Sequence, residues 1–87
     1  MTARTEFSLS DAGEIAAQLG IDFATSGFGL EDFRAGLNVE LEHGRRDPET
    51  NVTGDDPITT GKIALAHLRE MPDYYARLAK MEAEAEA

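Results

Sequence analysis

Leu30, Phe33, Leu37 and Leu41 recur at intervals of three, four and four. That spacing puts all four on one side of an α-helix and leaves no period-two alternation for a half-buried strand. Tyr74, Leu78, Met81 and Ala85 repeat the device near the end of the chain. Ile15, Ala16 and Leu19 keep the same spacing over a shorter stretch. Ile63, Ala64, Leu65, Ala66 and Leu68 cover almost every side of a further helix, which is therefore expected to be the most buried element. No segment reads as a strand, so the fold expected is all-α: a small bundle of about four helices with a long loop between helices two and three.

The punctuation fits that reading. Ser8 begins a Ser-x-x-Asp pattern ending at Asp11, so helix one should start near residues 8 to 11, and Gly20 supplies its stop. Residues 21–29 mix turn formers with Ile21, Phe23 and Phe28, which should pin a connector to the core. Gly44 is expected to end helix two, and residues 45–57 carry turn formers without periodicity. Asp56 or Thr59 can cap helix three, Pro57 suits its first turn, and the helix should run to about Glu70. Met71-Pro72-Asp73 then breaks the chain. Eighty-seven residues allow one domain, expected over 1–87 with 1–7 and 83–87 frayed.

Charge narrows the partners. Seventeen acidic against eight basic residues give a formal net charge of −9, which opposes nucleic-acid phosphates and anionic membrane surfaces, so neither is expected as a partner. With no cysteine, a metal would need histidine and carboxylate ligands, and the fold must hold by packing. The start of the chain lacks an apolar leader segment and no run approaches a membrane span, so a cytoplasmic location is expected. The Asn51-Val52-Thr53 sequon then carries no weight.

One constellation suggests chemistry. Each histidine has a glutamate three residues away, as Glu40-x-x-His43 and, reversed, His67-x-x-Glu70. Residues at i and i+3 share a helix face, so each pair can offer a hard oxygen and a borderline nitrogen donor to one ion. The sharp expectation is a divalent transition metal, iron, zinc or manganese, held by Glu40, His43, His67 and Glu70 across helices two and three. Glu14, Asp73 or Glu82 can add a carboxylate, and Tyr74 or Tyr75 can hydrogen-bond behind the ligands. The plainer alternative has His43 favouring a helix C-terminus, Glu40 pairing with an arginine and His67 hydrogen-bonding inside the core.

Other motifs are weaker. His67 beside Glu70 can serve as an acid or base, but Thr59, Thr60 and Ser26 sit in no recognised nucleophile motif. Residues 56–62 fail as a phosphate loop, because Asp56 stands where glycine is needed and Ile63 replaces the magnesium-binding hydroxyl. Lys62 there is better read as solvated or carboxylate-paired, and Gly61 as a close helix contact. Asp47, Glu49 and Asn51 fail as a calcium loop, since Val52 and Ile58 occupy the glycine and bidentate-glutamate positions. Local turn bonding explains them better. Tyr74 and Tyr75 are expected to seal the core or a subunit contact.

The blocks Val39-Glu-Leu-Glu-His-Gly44, Asn51-Val-Thr53, Thr60-Gly-Lys-Ile-Ala-Leu-Ala-His-Leu68, Asp73-Tyr-Tyr75 and Leu78-Ala-Lys-Met-Glu82 resemble an uncharacterised family of small bacterial, archaeal and phage proteins. The resemblance spans roughly residues 14 to 82 and implies relatives without an assigned activity. The chain is accordingly read as a small acidic helical binding protein that self-associates, with the metal site as its sharp form. The alternative is an acidic protein-interaction module, of phage or regulatory type, that meets a basic protein partner without metal or catalysis.

Overall fold

A computed structural model describes residues 6–46, 48–51, 54 and 56–86. Four helices follow in order: α1 (Leu9–Leu19), α2 (Leu30–Arg46), α3 (Pro57–Glu70) and α4 (Tyr74–Glu86). Among the described residues there is no strand. The α1, α2 and α3 helices pack against one another, and α4 lies across α2 and α3. No helix is long and apolar enough to cross a membrane among the described residues.

The first three helices start where the sequence supplies a carboxylate or hydroxyl to satisfy their leading N–H groups. Ser8 accepts from the Asp11 backbone N–H and Asp11 accepts in return from the Ser8 N–H, a reciprocal pair that satisfies two otherwise orphan donors. Gly20 closes α1 in the left-handed region at φ 72, its N–H bonding back into the last turn. The Gly29 N–H donates to Asp32 Oδ2 at 2.9 Å ahead of α2. Of the two candidates for the α3 cap, Asp56 takes the role. Its carboxylate accepts from both the backbone N–H and the hydroxyl of Thr59 at 2.8 Å.

The core is Phe7, Ala12, Ile15, Ala16, Phe28, Phe33, Leu37, Leu41, Ala64, Leu65, Leu68 and Tyr75. The α2 stripe supplies Phe33, Leu37 and Leu41, all essentially without solvent exposure. Phe23 meets Phe28 edge-on and Phe33 at a tilt, so the connector is pinned as its apolar residues require. Gly61 lies inward on α3. A Cβ there would fall 2.8 Å from Ile15 Cγ2 and 3.0 Å from Leu19 Cδ1, so its bare backbone lets α1 approach α3.

Three details depart from the sequence reading. Helix two passes through Gly44 to Arg46, because Gly44 sits buried on the inner side and has no positive φ to end the helix. α3 is not buried all round: Lys62, Ala66 and Arg69 form a solvent stripe, since a three-on-one arrangement leaves one side uncovered. Phe7, within the segment expected to fray, is fully buried. Its backbone is clamped by α2: the N–H donates to Asn38 Oδ1, and the carbonyl accepts from Arg34 Nε at 2.9 Å and Asn38 Nδ2 at 3.2 Å. Residues 1–5, and Asp47, Val52, Thr53 and Asp55 of the loop readings, lie outside the described residues.

Candidate functional site

Three helices meet at Glu40, His67 and Tyr75. Glu40 leaves α2 on the flank of its apolar stripe, His67 comes from the last turn of α3, and Tyr75 from the first turn of α4. The geometry is a closed triangle. His67 Nδ1 lies 3.1 Å from Glu40 Oε2 and 3.0 Å from the Tyr75 hydroxyl, which itself donates to Glu40 Oε2 at 2.8 Å.

Counting protons assigns the donors. The phenol has one hydrogen, and it serves the carboxylate. If Nδ1 were bare, its lone pair would face the carboxylate oxygen and the phenol oxygen together, two acceptors with no proton between. The satisfied arrangement puts a hydrogen on Nδ1 and shares it between the two oxygens. Nε2 then carries the lone pair of the neutral ring, and it has no hydrogen-bond partner among the described residues.

Burial supports the triangle from behind. The Glu40 side chain is 11% exposed and the His67 side chain 32%, so the carboxylate is screened while the ring keeps an open side. Tyr74 stacks on His67 at 4.4 Å between ring centroids and 14° between planes, and Tyr75 meets Tyr74 edge-on. Tyr75 is seated on Gly36, one helical turn before Glu40. A Cβ at Gly36 would stand 2.5 Å from Tyr75 Cε2. Burial, then the hydrogen bond and charge of Glu40, push the Tyr75 phenol far above its ordinary range, so it stays a neutral donor.

The four residues singled out from sequence separate. Glu40 and His67 come together across α2 and α3, whereas His43 and Glu70 are exposed and make no hydrogen bond to the triangle. Among the described residues no group of three or more His, Cys, Asp or Glu side chains is placed to hold a metal ion. Of the extra carboxylates, Glu14 and Glu82 are exposed, and Asp73 is paired with Arg77 at 2.8 Å on the surface. The hydroxyls weighed as nucleophiles are spent locally: Thr60 on the Asp56 carbonyl, Thr59 on the Asp56 carboxylate and Ser26 on the Phe28 carbonyl.

Sequence reasoning paired each histidine with the glutamate on its own helix, but His67 is paired with the glutamate on the other. Gly36 was the overlooked signal. It sits beside Phe33 on the flank of the apolar stripe, one turn before Glu40, and a glycine inside a helix often has a packing reason; here it is the seat of Tyr75, which carries its hydroxyl to Glu40. No curated protein and no solved structure matches the chain. Matched by a family model over residues 12–84, the chain belongs to the protein family of unknown function DUF5661.

Proposed function

We propose that this chain is a small acidic helical binding protein whose recognition group is the His67 imidazole. The supporting observation is the triangle at Nδ1: Glu40 and Tyr75 occupy that nitrogen from the inside. The ring is thereby fixed in one orientation and one tautomer, with Nε2 as its only uncommitted atom. A carboxylate behind a histidine is the arrangement that orients and strengthens an imidazole ligand, and the stacked Tyr74 ring further restrains it.

A divalent transition metal is the ligand class that uses this atom best. Nε2 would be the donor from this chain and Glu40 its orienting partner, with the remaining positions filled by water or by a second molecule. The test is zinc, iron(II) or manganese(II) titration of protein without a histidine tag, followed by NMR of the two histidine rings. The reading expects His67 signals to move before those of His43, and a Glu40→Gln variant to need more metal. Movement of His43 alone, or of neither ring up to millimolar metal, would overturn it.

The second reading is an acidic interaction module with no metal. It is favoured by the −9 charge. It expects association with a basic partner that weakens as salt rises. A partner whose affinity is unchanged between low and high salt would contradict it.

A further inference from the structure

Among the described residues, α4 is held to the body by its beginning. Tyr75 is its one buried residue, Tyr74 and Leu78 are half-buried against the core, and from Ala79 to Glu86 every side chain is exposed. Met81, the most exposed large apolar side chain among the described residues, sits at 60% exposure in the middle of that free stretch.

Tyr74, Leu78, Met81 and Ala85 recur at four, three and four, the spacing of a two-helix seam. The body covers only the first two positions. Arg77 and Glu84 are seven residues apart and flank the seam on one side, about 10 Å from each other along the axis. They share a shallow surface with Asp73, Lys80 and Met81.

We propose that this face binds the same face of a second copy of the chain, with the two α4 helices antiparallel and Met81 near the two-fold axis. Charge complementarity selects both the occupant and the direction. In the antiparallel arrangement Arg77 of each copy, which holds Asp73 of its own helix at 2.8 Å through Nε, turns the rest of its guanidinium to Glu84 of the other, twice, and the Lys80 stems lie over the two Met81 side chains. A parallel arrangement would instead set Arg77 against Glu82 of the other copy and leave Glu84 without a basic partner. A generic basic partner would gain from Glu82, Glu84 and Glu86 but would meet Lys80 and an Arg77 already offset by Asp73, a surface of two acids and two bases with no net charge to attract it. The face is complementary to itself, which a chain of net charge −9 needs if two copies are to meet.

Sedimentation equilibrium on the full chain tests this. The wild type is expected to dimerise reversibly in the range of tens to hundreds of micromolar, and Met81→Glu to be monomeric throughout. Arg77→Glu and Glu84→Arg are each expected to weaken the dimer by about tenfold or more, because each creates two like-charge contacts per dimer. An equimolar mixture of the two variants, or the double variant alone, restores it. Circular dichroism of every variant checks that the exposed substitutions leave the helices formed. A wild type that stays monomeric at millimolar concentration would overturn the proposal and leave the face to another partner. So would a dimer indifferent to Met81→Glu, or charge variants that do not rescue each other.

Discussion

Tyr75 donates its hydroxyl hydrogen to Glu40 Oε2 at 2.8 Å, joining the first turn of α4 to the middle of α2 through a contact thirty-five positions apart in sequence. With His67 completing the triangle, this bond is where α2, α3 and α4 register against one another. Tyr75→Phe keeps the ring that packs on Gly36 and removes only the donor. It should lower stability by about 1–2 kcal/mol, the cost of a lost hydrogen bond to a partly buried charged acceptor. Urea unfolding is the check, and a midpoint equal to wild type would mean the bond contributes nothing.

Two glycines test the packing that seats the site. Ala at Gly36 puts a methyl 2.5 Å from the Tyr75 ring, and Ala at Gly61 puts one 2.8 Å from Ile15 Cγ2. Each gains up to about 1 kcal/mol of helix propensity and meets a buried neighbour that must shift, at a typical cost of about 1–3 kcal/mol. Both variants should therefore be destabilised or at best neutral. They should differ in where the damage lands: Gly36→Ala should alter the His67 and Tyr75 NMR signals, and Gly61→Ala should leave them unchanged. Identical perturbation of the site by both would contradict the seating.

The Tyr75 phenol is pushed above its ordinary range by burial and by Glu40. An acid whose folded value is raised contributes stability that is complete below its unfolded value and is lost as pH rises above it. The unfolded value is about 10. Stability should thus decline above pH 10 more steeply in wild type than in Tyr75→Phe. Ultraviolet titration should show one of the two tyrosines ionising only as the chain unfolds. Both tyrosines ionising together in the folded state would refute the buried-donor assignment.

At acid pH one sensitive group is the α3 cap. Asp56 is held below the usual carboxylate range, first by the Thr59 backbone N–H and then by the Thr59 hydroxyl. A carboxylate with a lowered folded value contributes stability that is present above its unfolded value, about 4, and is lost as pH falls through the folded one. Wild type should lose stability below about pH 4 relative to Asp56→Asn, which can still cap but does not titrate. Parallel stability profiles for the two proteins would count against the cap.

Helix periodicity made the four elements legible, because Leu30, Phe33, Leu37 and Leu41 admit one inward face and Ser8, Gly20 and Pro57 are strong local punctuation. Gly44 misled, since a glycine stops a helix only when the chain needs a positive φ, and here it serves a buried contact inside α2. The site was half legible. Glu40 and His67 stood out by type, and a tyrosine behind them was expected. Which glutamate would face which histidine depends on how α2 and α3 are rotated about their axes. That rotation is set by long-range choices such as Gly36 under Tyr75 and Gly61 under Ile15, for which a spacing rule within one helix has no term.

The most direct measurement is the tautomer of His67, read from long-range proton–nitrogen couplings in uniformly labelled protein at a pH where the ring is neutral. The triangle predicts the proton on Nδ1 and a bare Nε2, with the preference relaxing in a Glu40→Gln, Tyr75→Phe double variant. A proton on Nε2 with Nδ1 bare in the wild type would contradict the assignment, and with it the reading of His67 as the atom this protein offers to a ligand.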